Sequence, residues 1–143
     1  MKLKTHIFIL FCFLFLGCNK EKKVINLTHL NGYWEIDRVI TPDGNEKKFG
    51  FNPYVDYFKT VDSIGFRSKV KPQFGGTYQS NQEKITYRIN TKTDSIFITY
   101  TNAKKTWNDL LIEASAQQIC LQNNLGNLYF YRPYTPIIID EKN

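Results

Sequence analysis

The chain has 143 residues, with 19 basic and 13 acidic side chains, a formal net charge of +6, three cysteines and two histidines. That length supports one ordinary domain with a single modest core. The basic excess is scattered singly or in pairs, and no stretch interleaves closely spaced Arg or Lys with aromatic residues as a stacking platform requires, so nucleic acid is excluded as a partner.

The chain begins with Lys2 and Lys4, followed by the run 7–16, which carries no charged side chain. Such a run is about half the ~20 residues needed to span a bilayer as a helix; it has the proportions of a secretory signal peptide. It ends in Phe15-Leu16-Gly17-Cys18. This resembles the lipobox of bacterial lipoproteins, Leu-(Ala/Ser)-(Gly/Ala)-Cys, with Phe15 in place of the leucine and Leu16 in place of the small residue. The resemblance implies cleavage after Gly17, a diacylglyceryl group on the sulfur of Cys18 and, usually, acylation of its amine. One acyl chain holds a protein to a membrane weakly and two or three hold it firmly, at ~0.8 kcal/mol per buried methylene. A membrane is therefore the expected partner of Cys18.

The expected organisation is a signal peptide at 1–17, a lipidated tether at 18–26, a β domain at 27–136 and a tail at 137–143. Cys12 leaves with the signal peptide and Cys18 serves the anchor, so Cys120 is the one thiol left and an internal disulfide is excluded. Loss of Lys2 and Lys4 leaves 17 of the 19 basic side chains against 13 acidic ones, a net charge of about +4. In lipoproteins an aspartate after the lipidated cysteine often retains the protein at the inner membrane. Asn19 stands there instead, which points to the outer membrane of a bacterial cell envelope. The mixed charges of Lys20-Glu21-Lys22-Lys23 select neither face of it.

Beyond the tether, runs rich in Ile, Val, Thr, Tyr and Phe are separated by Gly, Asn, Asp and Pro, and none keeps a helical apolar period for three turns. The pattern predicts an all-β domain with strands at 32–40, 54–60, 62–70, 73–80, 84–90, 94–101, 105–114, 116–122 and 126–132. Turns are expected at Val61-Asp62-Ser63, Asn81-Gln82, Thr93-Asp94, Asn102-Ala103 and Asn123-Asn124-Leu125-Gly126. Ile85, Tyr87 and Ile89 alternate with polar neighbours, as do Ile96, Ile98 and Tyr100, and Ile64, Phe66, Ser68 and Val70. Eight or nine short antiparallel strands hide their edges best in an up-and-down barrel; an open meander or a two-sheet sandwich is the alternative.

The first strand opens with Asn31-Gly32-Tyr33-Trp34 after Leu27-Thr28-His29-Leu30, a stretch suited to one turn of 3₁₀ helix. Gly32 and Trp34 resemble the Gly-x-Trp signature of the lipocalin and calycin families, and over 27–132 the chain resembles the short lipocalin-like lipoproteins of Gram-negative bacteria more closely than the classical lipocalins. That resemblance implies a short helix closing the barrel floor, a tryptophan opening the first strand and a terminal-strand arginine, Arg132, lying over the indole. It also matches the long connection 41–53 to the family's large first loop. The C-terminal helix and disulfide of larger lipocalins have no counterpart here.

No catalytic constellation is present. His29 and Cys120 lack partners nearby in sequence, no cluster meets the needs of a metal site or an activated nucleophile, and Glu35 and Asp37 fall on the strand face opposite Trp34 and Ile36. No enzyme activity and no cofactor are expected. The aromatic content, with Tyr57, Phe58, Tyr78, Tyr87, Phe97, Tyr100 and Trp107 prominent, fits either a lined cavity or a centre filled by large side chains. Trp34, Ile36, Phe66, Ile85, Tyr87, Ile98, Tyr100 and Leu110 are the expected interior residues. Of these, Ile36, Phe66, Tyr87, Ile98 and Tyr100 are the candidate contacts for a small hydrophobic ligand. Two functions follow from the two fillings: a membrane-bound carrier with its ligand in the barrel, or an envelope lipoprotein with a filled barrel that binds a protein. The net positive charge favours an acidic partner.

Overall fold

The computed structural model describes residues 25–80 and 84–136. The expected signal peptide, Cys18 with most of the expected tether, the expected turn at Asn81-Gln82 and the segment 137–143 lie outside the described residues. A 3₁₀ turn, Leu27–Leu30, comes first. Ten strands follow: β1 Gly32–Ile40, β2 Glu46–Lys48, β3 Val55–Val61, β4 Ile64–Pro72, β5 Tyr78–Gln79, β6 Ile85–Lys92, β7 Ser95–Thr101, β8 Thr106–Ala114, β9 Ile119–Gln122 and β10 Leu128–Pro133.

Eight of these, β1, β3, β4, β6, β7, β8, β9 and β10, pair antiparallel in that order. The ring closes where β10 returns to β1, with Trp34 opposite Pro133 and Ile40 opposite Leu128. The domain is thus a closed up-and-down barrel entered through a 3₁₀ turn, the lipocalin-like architecture expected from Gly32 and Trp34, and the open meander is excluded. β2 pairs with the second half of β1, and β5 with the end of β4.

Local chemistry explains the punctuation. Asn26 caps the 3₁₀ turn by accepting the Thr28 backbone N–H at 3.0 Å. The Asn102 carboxamide accepts the N–H groups of Lys104 and Lys105, and that of Asn123 accepts those of Leu125 and Asn127. In each case an Asn side chain satisfies donors that a tight turn leaves free. The strand expected at 73–80 shrinks to Tyr78–Gln79, because Gly75 and Gly76 adopt φ of 84° and 79° and turn the chain back on β4. Such positive φ is open to glycine at no steric cost.

Leu30, fully buried, plugs one end of the barrel, and its carbonyl accepts the Trp34 indole N–H at 3.1 Å. Residues directly opposed across an antiparallel pair share a face, so the register identifies the interior. It contains Trp34, Phe58, Tyr87, Ile89, Ile98, Tyr100, Leu111, Ile119, Leu121 and Tyr131, all buried in one apolar cluster against which Ile36, Ile85 and Trp107 pack. Two expectations need correction. Phe66 points outward opposite Thr86, while its neighbours Gly65 and Arg67 face inward opposite Tyr87 and Ile85. Leu110 pairs outward with Phe97, and Leu111 takes the interior place opposite Ile96.

Candidate functional site

The sequence pointed to the barrel interior as a ligand site. Tyr87, Ile98 and Tyr100 are there, buried and packed against one another's surroundings: the Tyr87 and Tyr100 rings meet edge to face at 5.7 Å, and Trp107 stacks on Tyr100 at 5.2 Å. Ile36 faces inward at the edge of this cluster, opposite Tyr131. Phe66 belongs to the outer wall instead. The interior candidates therefore serve as packing for each other.

Charged residues enter that interior, which hydrophobic alternation does not anticipate. Asp56, 2% exposed, accepts from Arg67 Nε at 2.9 Å and from Lys69 Nζ at 3.0 Å. Arg67 also donates to the Tyr131 hydroxyl at 3.0 Å, and its guanidinium carbon lies 5.1 Å from the Phe58 ring centre. Burial alone would raise the Asp56 pKa, but the charges and hydrogen bonds of Arg67 and Lys69 outweigh it and hold the carboxyl below the usual range. Burial raises the Asp109 pKa, against the opposing charge of Arg67. The Tyr87 hydroxyl bonds to Thr60 Oγ1 at 2.7 Å, whereas the buried Tyr100 hydroxyl has no hydrogen-bond partner among the described residues.

Arg132 is a further correction. It stands opposite Glu35 on the outer face, and its Nε donates to the Glu35 carboxylate at 2.8 Å, with Asp37 3.5 Å from Nη1. Adjacent strand residues point to opposite faces, so a residue opposed to Glu35 cannot cover the inward indole of Trp34. Arg132→Ala is accordingly expected to cost no more than about 1 kcal/mol, the range of exposed ion pairs. A urea-unfolding cycle with Trp34→Phe should give a coupling energy within error of zero.

The outer wall beside Arg132 carries a concavity. Aromatic rings cover β1, β3 and β5 there: Tyr78 stacks on Tyr33 at 3.8 Å, Tyr57 lies 4.7 Å from Tyr33, and Tyr134 meets Tyr78 edge-on at 6.3 Å. Next to this layer lies a groove of about 450 Å³. Its walls are Gly50, Phe51, Asn52 and Pro53 before β3, Lys71 and Pro72 at the end of β4, Gln73 and Phe74 in the β4–β5 turn, Glu35, and Arg132, Tyr134 and Thr135. Its volume falls within the roughly 300–1,000 Å³ of ordinary binding pockets. Phe51 and Phe74 are 89% and 84% exposed, which is unusual for rings of that size. Lys71 makes no ion pair among the described residues, so the groove offers apolar surface beside an available cation.

Sequence reasoning missed this site because its walls come from loops and one hairpin that meet only in the fold. The available signal was a phenylalanine set among turn formers, as in Gly50-Phe51-Asn52-Pro53 and Phe74-Gly75-Gly76, where no strand buries it. The remaining chemical candidates stay apart. His29 lies in the 3₁₀ turn, and Cys120 is a free thiol, buried and pushed up to about 11 by burial and Glu113 against the pull of Arg38. Such a thiol is inert. Among the described residues no group of three or more His, Cys, Asp or Glu is placed to hold a metal ion.

No protein-family model matches the chain, and no curated protein does. Among solved structures it is similar to a lipocalin-like protein from Bacteroides uniformis ATCC 8492, at 14% identity and a TM-score of 0.46, covering 74% of this chain and 99% of that one. An uncharacterized protein from Bacteroides eggerthii DSM 20697 is similar at 16% identity and a TM-score of 0.46, over 73% of this chain and 99% of that one.

Proposed function

We propose that this protein is a lipid-anchored envelope module that binds a polypeptide partner through the groove on its outer wall, with the barrel as a filled scaffold. The observation that carries this reading is the inversion of the usual lipocalin plan. Large side chains and the ion pair of Asp56 and Arg67 occupy the centre, while exposed Phe51 and Phe74 flank a groove outside. Exposed aromatic anchors beside a recess are the usual makings of a binding hot spot. Lys71 and the net positive charge of the mature chain suit a partner segment that is apolar and acidic.

A photo-reactive phenylalanine analogue at position 74, introduced in living cells, is expected to cross-link one defined envelope protein, with no adduct from the same probe at Ile64, which is 54% exposed on another part of the surface. Native mass spectrometry of the membrane-extracted protein reads the opposing case. A stoichiometric small molecule, lost on Tyr100→Ala but kept on Phe74→Ala, would restore the carrier reading.

Anchoring through Cys18 is part of the proposal. Cys18→Ala should abolish incorporation of radioactive fatty acid in growing cells and leave urea stability unchanged, since the first element of the domain, the 3₁₀ turn, begins at Leu27. Label that persists in the variant would place the anchor elsewhere.

A further inference from the structure

We infer that the plugged end of the barrel is a membrane-facing surface: Val61 and Ile64, at the tip of the β3–β4 hairpin, enter the headgroup region of an anionic bilayer, with Lys59, Arg88 and Lys92 beside the lipid phosphates. The inference rests on the anchor proposed at Cys18 and says how the domain stands on its membrane. It begins with the place where the chain enters the fold. Ile25 and Leu27 pack against the core at the end that Leu30 plugs, and the Asn31 carboxamide accepts the Thr60 backbone N–H, so the end of β3 adjoins that entry. Cys18 precedes Ile25 by seven residues. At roughly 3.3–3.6 Å each these reach at most about 25 Å. Whatever their path, a lipid on Cys18 holds this end of the barrel within that distance of the bilayer.

Apolar side chains are unevenly exposed. Of the seven large ones exposed among the described residues, Phe51, Tyr54 and Phe74 belong to the loops around the groove, and three of the other four stand at the plugged end. Val61 and Ile64, 65% and 54% exposed, oppose each other across the two-residue turn Asp62-Ser63. The Ser63 carbonyl accepts the Ile89 N–H at 2.7 Å, which sets this tip beside the last part of β6 and hence at the same end as the β6–β7 turn. Ile112 follows Leu111, the partner of Ile96, and so is level with the start of β7 on the same rim. Leu125 alone of this set is at the opposite end, where β9 turns into β10. Tight turns favour Gly, Asn, Asp and Ser; an exposed apolar pair flanking one leaves surface in water that a contact would cover.

Charge points the same way. Lys59, Arg88 and Lys92 are exposed around the tip, Arg88 directly opposite Ile64, and the carboxylates of Asp62 and Asp94 lie in the turns themselves. The connection from Cys18 adds Lys20, Lys22 and Lys23 against Glu21. Apolar side chains set among basic ones are what contact with an anionic lipid surface requires.

The full lipidated chain in vesicles of phosphatidylethanolamine and phosphatidylglycerol provides the test. A nitrobenzoxadiazole label on Val61→Cys should be quenched by lipids carrying a nitroxide near the headgroup at least about three times more strongly than the same label on Leu125→Cys. Both positions are exposed, so both variants should fold, and the buried Cys120 should stay unlabelled. Adding Ile64→Asp to the Val61→Cys chain should remove most of the difference while the chain still floats with the vesicles. Equal quenching at 61 and 125 would overturn the inference and return the tip to water or to a protein neighbour. Quenching at 61 that ignores Ile64→Asp would overturn it too, because tethering alone would then explain the proximity. A chain that fails to float refutes the anchor at Cys18 and this inference with it, whereas one that floats with equal quenching refutes this inference alone.

Discussion

Replacing Asp56 with Asn is expected to remove about 3–5 kcal/mol of stability, the cost of breaking a buried ion pair from one side. Arg67, its side chain 17% exposed, would keep its charge beside Phe58 and Tyr131 with a neutral carboxamide in place of the carboxylate, so the hydrogen bonds left to it carry no compensating charge. That is a large share of the about 5–15 kcal/mol that holds an ordinary domain together. The charge, more than the lost contact, dominates the cost. The double variant Asp56→Leu, Arg67→Met should therefore lose much less than the sum of its single changes.

The same pair gives the pH dependence a sign. Because the folded Asp56 pKa is lowered, its stabilisation is fully present above the unfolded carboxylate value of about 4. It is lost as pH falls through the lowered folded value. The unaltered protein should weaken in that acid window, and Asp56→Asn should show a flatter profile there. Urea unfolding followed by the fluorescence of Trp34 and Trp107 measures both. A single-variant loss below about 1 kcal/mol would mean that the cluster is solvated and the account of the interior is wrong.

Gly65→Ala is expected to cost about 3 kcal/mol or more, at the upper end of overpacking changes. The cause is steric, since the φ of Gly65 lies outside the left-handed range that glycine alone tolerates well. A methyl group placed there would overlap the Lys59 carbonyl oxygen and stand 2.5 Å from Cζ of Tyr87. Gly65 and Tyr87 are directly opposed on β4 and β6, and the ring lies across the place a side chain would fill. Gly50→Ala is the control, as an added Cβ there meets nothing within 4 Å. Equal effects at the two positions would show that the Lys59 backbone and the Tyr87 ring both give way.

These two sites also show where the sequence was legible. Strand positions could be read because β-branched and aromatic runs are punctuated by Asn, Asp and Gly, and the closed barrel followed from the need to hide edges. The phase of β4 could not. Alternation divides Ile64-Gly65-Phe66-Arg67-Ser68-Lys69 into two faces, and hydrophobicity assigns Phe66 to the dry one. Arg67 goes inside because Asp56 on the neighbouring strand is there to meet it, and that pairing is visible only once the register is known.

Leu110 and Leu111 presented an undecidable choice between equally apolar neighbours, and the irregular register of β8 against β9 between Leu111 and Glu113 adds to it. Arg132 was assigned a partner by resemblance, and the register gave it Glu35. The groove was invisible for a related reason. Phe51 and Phe74 lie in connections that carry no period, and only the hairpin of β4 and β5 brings them to one recess.

The closure of the barrel between β1 and β10 sets a condition on how the chain becomes native. Trp34 finds its neighbour at Pro133, so the seam joins nearly the two ends of the domain. Contacts this distant along the chain are slow to form because loop closure must precede them. Until residues 128–133 arrive, β1 and β9 each present an unpaired edge open to strand addition by another molecule. A chain that lacks β10 therefore stays open at both edges, a ready substrate for aggregation or proteolysis. The same adjacency makes the ends joinable: linking residue 136 to residue 25 and opening the loop at 123–127 would move the seam without removing a strand.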